Sequence, residues 1–485
     1  MSHRAPIEHA DADTLQARLA EIQTLLARHQ LVESLLSKQD MPKHELVESL
    51  VQKQHLVELD TKLDKMHPAD VAFVLEALPL EERLVVWELV RDGHTGRDGD
   101  ILLEVSDAVR DSLIAHTDTD SLRAAAESLD ADELADLAPD LPHEVMQDVF
   151  RGLSSAERER LRAAMSYPEE VVGALMDFEM VTVHAEMSLD AVLDDLRRLE
   201  ELPHHTDQLF VVDHEEKLLG ALPINRLLVA NPELTVGALM QRDGIRLEPD
   251  DEAEDAAQAF ERYDLVSAPV VDRQQRLIGR LTVDTVLDFV REEGESEILS
   301  QAGLSEEEDI FAPVWNSVKN RWRWLATNLV TAFVASRVIG VFEDSIEQLV
   351  ALAALMPIVA GIGGNSGNQT ITMIVRALAL GQIQGEAFRR LLHKEVGVAL
   401  LNGLVWGGLL GLLAWTLYDS VPLGLVLTAA MTLNLLLAAT VGVVIPMTMH
   451  RLGRDPALGS SVLITAVTDS GGFFIFLGLA TLFLL

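Results

Sequence analysis

The 485 residues include no cysteine. That excludes disulfides, thiolate metal sites and thiol catalysis. Basic residues are heavily outnumbered before residue 320. Residues 320–485 hold nine Lys+Arg and eight Asp+Glu, so the chain totals of 38 and 77 leave 29 basic and 69 acidic residues for 1–319. A part with net charge −40 is thus joined to a part with net charge +1. So acidic a surface repels nucleic acid and anionic headgroups, which argues against a nucleic-acid partner. It attracts cations, and hard divalent ions prefer carboxylate oxygen; the plainer account is solubility alone. The opening MSHRAPIEHADADTLQ has no apolar core of a signal peptide, so the acidic part is expected to stay in the cytoplasm. The G-x-x-x-x-G-K-[ST] loop of an ATPase is missing as well.

What is present is organised around the last 26 residues, SSVLITAVTDSGGFFIFLGLATLFLL from Ser460. The stretch is long and apolar enough to cross a bilayer. Asp469 sits within it, with no basic residue in the segment to neutralise it. A charge near the bilayer centre costs about 2.5–3.5 kcal/mol on insertion scales. Either Asp469 is a neutral, hydrogen-bonded structural residue, or it faces a partner, a watery cavity or a cation.

Residues 1–65 read as an N-terminal helical extension, with LVESL at 31–35 and again at 46–50. Residues 66–165 read as stacked helical hairpins. HPADVAFVLEALPLEERLVVWELV (67–90) matches DADELADLAPDLPHEVMQDVFRGL (130–153), aligning Pro79 with Pro142 and Trp87 with Phe150. Such units stack into an all-α superhelix because one hairpin cannot bury its own apolar face. Residues 166–290 repeat more plainly. VGALM occurs at 172–176 and 236–240, and LFVVDHEEKLLGALPINRLL (209–228) is answered by APVVDRQQRLIGRLTVDTVL (268–287). Helix, β-branched strand, turn, strand and helix recur in that order. The module resembles a tandem pair of CBS domains, α/β units that usually regulate a neighbour. Residues 291–319 form an acidic connector, and a continuous helix is expected over 284–301.

Residues 320–485 hold five hydrophobic segments, at about 322–342, 346–380, 396–417, 423–449 and 461–485. Basic residues cluster before the first segment, between the second and third, and between the fourth and fifth; FEDSIEQ and YDSVP in the other loops are acidic. The positive-inside rule then sets the N-terminus in the cytoplasm and the C-terminus outside a plasma (inner) membrane. MPIVAGIGGNSGNQT (356–370) interrupts the second segment. Its glycines suit either close helix packing or loosened backbone lining a cavity; Asn368 favours the cavity.

An acidic helical-repeat domain, a CBS pair, a connecting helix and five spans together resemble the MgtE family of magnesium channels and transporters. The motifs that carry the resemblance are PIVAGIGGNSGNQT, the RALALGQI and HKE after it, and RLGRDPALGSSVLITAVTDSGG. It covers nearly all of the chain after about residue 60. The resemblance implies a multidomain, non-enzymatic homodimer with a plug helix at 291–319 and a pore on the two-fold axis. It implies that Asp469 is the pore aspartate, that the Thr465 carbonyl helps hold the hydrated ion, and that Gly361 and Asn368 line the pore. Glu395 and Asp455 match acidic positions near the cytoplasmic mouth. Cytoplasmic Mg²⁺ would bridge acidic faces and close the pore, at positions matching Glu252, Glu254, Asp264, Asp288, Glu293 and Glu297. Thr285, Arg291 and Ser296 depart from the acids found in relatives. Some relatives bind ATP at the CBS pair; Leu265 here replaces an expected aromatic, which counts against nucleotide.

Two other readings compete with Mg²⁺ conduction. One is transport of another divalent ion such as Co²⁺ or Mn²⁺; oxygen-only candidate sites argue against Zn²⁺ or copper. The other is a CBS-regulated membrane sensor with the spans as anchor, a reading that lacks any catalytic constellation.

Overall fold

The computed structural model describes residues 12–36, 56–92, 96–168, 170–199, 201–304, 309–379, 383, 387–452 and 460–485. They fall into two compact units, 1–293 with 309–312, and 294–308 with 313–485.

The first unit opens with α1 (Ala12–Leu36) and a helical stretch over 56–63. Then come α2 (Pro68–Glu76), α3 (Leu80–Asp92), α4 (Asp98–Glu104), α5 (Asp107–Ile114), α6 (Thr119–Glu127), α7 (Ala131–Leu137), α8 (His143–Gly152) and α9 (Ser155–Ala164). Local chemistry starts these short helices where the sequence places them. Pro68 takes the first helical turn behind His67, while Asp130 with Glu133 and Ser154 with Glu157 form capping boxes. The helix–break–helix pattern of the repeat is present, with breaks before Leu80 and before His143. Ile22, Leu25, Leu26, Leu59 and Leu63 share one buried core with Val71, Trp87 and Ile101, so the described part of 1–65 is built into this domain. The second LVESL lies outside the described residues.

Two polar groups in this core have named partners. Trp87 Nε1 donates to Thr117 Oγ1 at 2.8 Å. Arg83 is fully buried; Nε donates to the Leu75 carbonyl at 2.9 Å, and Nη1 reaches Asp309 Oδ2 at 2.8 Å. Losing one partner of a buried ion pair costs about 3–5 kcal/mol, because the other charge is left uncompensated.

The CBS-like repeat follows as β1 (Thr182–His184), α10 (Leu189–Leu196), β2 (Gln208–Val212), β3 (Leu218–Pro223) and α11 (Ile224–Val229). The second copy is α12 (Val236–Leu239), α13 (Ala253–Tyr263), β4 (Ser267–Val271), β5 (Leu277–Thr282) and α14 (Val283–Ala302). β1 pairs parallel with β2, and β2 antiparallel with β3; β4 pairs antiparallel with β5. A single parallel bridge, Leu247 to Val270, stands where β1 stands in the first copy. The copies also exchange edges: Asp177 bridges to Arg280 of β5, and Gln241 to Ala221 of β3. The expected order of elements is therefore met in both copies, including the helix over 284–301.

The second unit holds α15 (Val314–Val341), α16 (Glu343–Gln348), α17 (Ala351–Ala379), α18 (Ala387–Tyr418), α19 (Val421–Arg451) and α20 (Ser460–Phe483). Among the described residues, four helices are long and apolar enough to cross a membrane: α15, α18, α19 and α20. α17 has the length, at 29 residues, but carries GGNSGNQT and is not among the four. Of the two readings of the glycines over 356–370, the loosened backbone is not the one found: α17 runs unbroken through them, with Pro357 inside. Close packing accounts for part of this. A Cβ on Gly363 or on Gly472 of α20 would meet the side chain of Asn434, and one on Gly367 would meet Ile464. Asn434 is wholly buried and donates to the Val359 carbonyl at 2.9 Å, joining α19 to α17. Glycine's cost in helices, measured in water, is offset here by the close approach it permits. Arg337 of α15 lies with its guanidinium 5.3 Å from the centre of the Phe333 ring.

Where the helical domain meets the repeat, Asp132 of α7 faces Asp177. Arg280, itself 3% exposed, pairs with Asp177 at 2.7 Å, while Asp132 Oδ1 is buried with no hydrogen-bond partner among the described residues. Burial and then the Asp177 charge push the Asp132 carboxyl up to about 7. An unfolded Asp titrates near 3.9. Between these values the folded state keeps a proton that the unfolded state releases, so stability falls as pH rises through about 4 to 7. Asp132→Asn should therefore raise the melting temperature of the soluble part at pH 8, by a local gain of up to about 4 kcal/mol at roughly 1.4 kcal/mol per pKa unit. The gain should shrink as pH falls toward 5, and a variant less stable than the parent at pH 8 would contradict this account.

Candidate cation site

α20 presents two different faces. Ile464, Thr468 and Gly472 turn toward α17 and α19; a Cβ on Gly364 would lie 3.6 Å from Thr468 Oγ1. Ser461, Thr465 and Asp469 follow each other at four-residue spacing, which stacks them on a single face. These three line a cleft of about 500 Å³ whose other wall is Trp324, Asn328, Thr331 and Ala332 of α15. Asp469 is half-buried in the cleft and Thr465 is exposed to it. The Thr465 hydroxyl donates back to the Ser461 carbonyl at 2.9 Å, and the Thr465 carbonyl accepts from Thr468 Oγ1 at 3.2 Å. Beside the apolar Trp324, Ala332, Val462 and Ala466, the cleft thus offers hydroxyl, amide and carboxylate oxygen, a donor set suited to a hard cation that keeps its water.

The other membrane positions lie elsewhere in the single chain. Gly361 of α17 is exposed, and a Cβ there would meet nothing within 4 Å. Asn368 has a buried Oδ1 without a hydrogen-bond partner among the described residues. Neither lines the cleft beside Asp469. Glu395 is 4% exposed on α18. One of its oxygens is 3.5 Å from Thr370 Oγ1 of α17; the other has Lys394 Nζ at 3.3 Å without hydrogen-bond alignment. Asp455 lies outside the described residues.

The acidic positions of the soluble part fall into distinct settings. Asp264 caps α13 in the left-handed region (φ 50°), a conformation that Asp tolerates better than most residues. Glu252 is the exposed residue at the start of α13. Partial burial, then the charges of Glu293, Asp255 and Glu252, push the Glu254 carboxyl up. Asp288 is exposed on α14 and pairs with Arg291 at 3.7 Å. Arg291, which replaces an expected acid, therefore offsets part of the local negative charge. Glu297 belongs to the second unit.

Sequence reasoning missed the carboxylates of the helical domain that these residues meet. Burial and then Asp288 push the Glu104 carboxyl up, and burial and then Asp107 push up Glu292. Like charges held this close favour either a proton or a bridging cation. Nothing in the local sequence pairs residues so far apart, although the acidity of both segments was visible.

Comparison with known proteins places these features in a family. The model of MgtE, described as a divalent cation transporter, matches residues 356–479. That of the MgtE intracellular N domain matches 66–170, and that of the CBS domain matches 172–232 and 236–292. The chain is 32% identical over 432 residues to the magnesium transporter MgtE of Thermus thermophilus, covering 87% of this chain and 94% of the relative. It is 26% identical over 423 residues to the magnesium transporter MgtE of Bacillus subtilis, covering 87% and 93%. A crystal structure of the cytosolic domain of the Mg²⁺ channel MgtE in complex with ATP is similar at 29% identity and a TM-score of 0.45, over 50% of this chain and 98% of that one. With nearly the whole length of a relative matched at 32% identity, and with N-domain, CBS and transporter models following one another along the sequence, this chain belongs to the MgtE family.

Proposed function

We propose that this protein is a Mg²⁺ channel that admits the ion to the cytoplasm and is closed by cytoplasmic Mg²⁺. The observation that supports this best is the cleft holding Thr465 and Asp469 on one face of an apolar helix, in a member of this family. Mg²⁺ surrenders its water reluctantly, so a selective site is best built to accept hydrogen bonds from the hydrated ion. Asp469 from each of two copies supplies the charge, and carbonyls and amides supply the remaining acceptors. The inward potential contributes about 2.3 kcal/mol per charge per 100 mV, twice that for a divalent ion, so flux needs no nucleotide. In proteoliposomes with low internal Mg²⁺, Asp469→Ala should reduce Mg²⁺ entry to the level of empty vesicles. Entry that survives the substitution would remove Asp469 from the path.

The gate in this proposal is the acidic meeting place of the helical domain, the CBS pair and α14. A divalent ion offsets the burial and, after it, the like-charge repulsion that raise the Glu104, Glu254 and Glu292 carboxyls. Without it, the carboxylates push these elements apart and the pore opens. Glu104→Gln combined with Glu292→Gln should raise the internal Mg²⁺ needed for half-closure by roughly tenfold, equivalent to about 1.4 kcal/mol. An unchanged or lower midpoint in a flux titration would move the gate elsewhere.

The membrane arrangement in this proposal has five spans: the four apolar helices and α17, whose polar stretch is shielded by Asn434 and by the partner copy. The C-terminus then lies outside. Because the chain has no cysteine, one introduced residue reports a side without background. Asp419→Cys should react with an impermeant maleimide added outside intact cells, and Lys394→Cys only after the membrane is opened; the reverse pattern would invert the topology.

A further inference from the structure

We propose that His184, Glu186 and His214 form a binding site for a borderline transition-metal ion, separate from the Mg²⁺ path and on the first CBS copy. One ligand atom from each of the three lies within 4.8 Å of the other two. The strand pairing causes this. β1 ends at His184, which sits opposite Val212 at the end of β2 in a parallel ladder. Two residues past each strand end stand Glu186 and His214, so the ligands project from adjacent strand ends. His214 Nε2 is 3.3 Å from Glu186 Oε1, and the two imidazoles are 5.3 Å apart between ring centres.

The surroundings prepare both histidines. His184 Nδ1 lies 3.2 Å from the Val212 carbonyl oxygen. Donation to that carbonyl holds the proton on Nδ1 and leaves the Nε2 lone pair for a metal, the outer-shell arrangement common to metal-bound histidines. His214 rides on a fixed turn, in which Asp213 Oδ1 accepts from the Glu215 and Lys217 amides at 2.8 and 2.9 Å. A tetrahedral ion with Zn–N and Zn–O distances of about 2.0–2.2 Å needs only rotamer changes of Glu186 and His214. Both are free to move, with side chains 63% and 84% exposed. Two imidazoles, one carboxylate and an open fourth position suit Zn²⁺, Co²⁺ or Ni²⁺ and disfavour Mg²⁺, which takes oxygen ligands.

The repeat supplies an internal control. Aligning the copies by VGALM and by VVD sets Glu248, Asp250 and Arg273 opposite His184, Glu186 and His214. Arg273 and Asp250 form an ion pair at 3.0 Å. The contact at this corner of the second copy is thus a surface ion pair, worth at most about 1 kcal/mol. The first copy keeps the acid, as Glu186, and carries an imidazole, His214, in place of the cation; the third position, His184 opposite Glu248, adds nothing to an ion pair but completes a ligand set.

Full-length protein in detergent, stripped with chelator and held in excess Mg²⁺ to fill the oxygen sites, would be titrated with Zn²⁺ by calorimetry. The parent should bind one more Zn²⁺ per chain than either His214→Arg or His184→Gln. Each variant should weaken that site by at least the roughly 10–100-fold that loss of an outer-shell partner alone costs. His214→Arg installs the residue of the second copy and should melt with the parent. Equal Zn²⁺ stoichiometry in parent and His214→Arg overturns the proposal. So does a site lost in His214→Arg but kept in His184→Gln, which would leave only two ligands. Mg²⁺ entry through the pore is read separately, so failure here leaves the conduction reading untouched.

Discussion

A carboxylate removed from water must meet a positive charge, a proton or a set of donors, and this requirement organises both units. Inside α20 the apolar sequence around Asp469 offers no base, so the side chain opens onto a polar cleft instead of the packed face. In the soluble unit, acids outnumber bases so heavily that some carboxylates must face each other. Arg280 answers Asp177 and Arg83 answers Asp309, whereas among the described residues Asp132, Glu104 and Glu292 form no ion pair. A cation supplied from solution meets the same need in both places. In the proposed mechanism that common chemistry lets one ion serve as cargo in the membrane and as signal outside it.

The two faces of α20 are made by different means. The packed face relies on small residues and on Asn434, an amide buried where only glycines leave room for it. The open face relies on the four-residue spacing of Ser461, Thr465 and Asp469. The GG that follows Asp469 therefore serves the aspartate indirectly: Gly472 seats the helix against α19 and so fixes which way the acid turns.

Much of this was legible in the sequence, for identifiable reasons. The CBS copies declare themselves because each has a strand that runs into VVD and is buried along nearly its whole length, and the pattern recurs intact. Asp469 stood out because a lone acid in an apolar run has no bland surroundings to hide in. The continuous helix through 356–370 was not legible, since glycine propensity speaks of water and not of a neighbour that needs the space. The partners of Asp288 and Glu293 were not legible either, because Coulomb contacts between distant segments leave no periodicity. Glu395 shows the same limit from the other side: a lone acid after basic residues looks exposed, yet it is buried against Thr370.

Arg83 carries one more consequence. Its guanidinium is sealed inside the helical domain, and its carboxylate partner arrives from Asp309, 226 residues later and just before the first membrane helix. A soluble fragment ended at the CBS pair would strand a buried cation. Its stability would describe a damaged domain, so any dissected piece of the first unit has to keep the chain through Ala312.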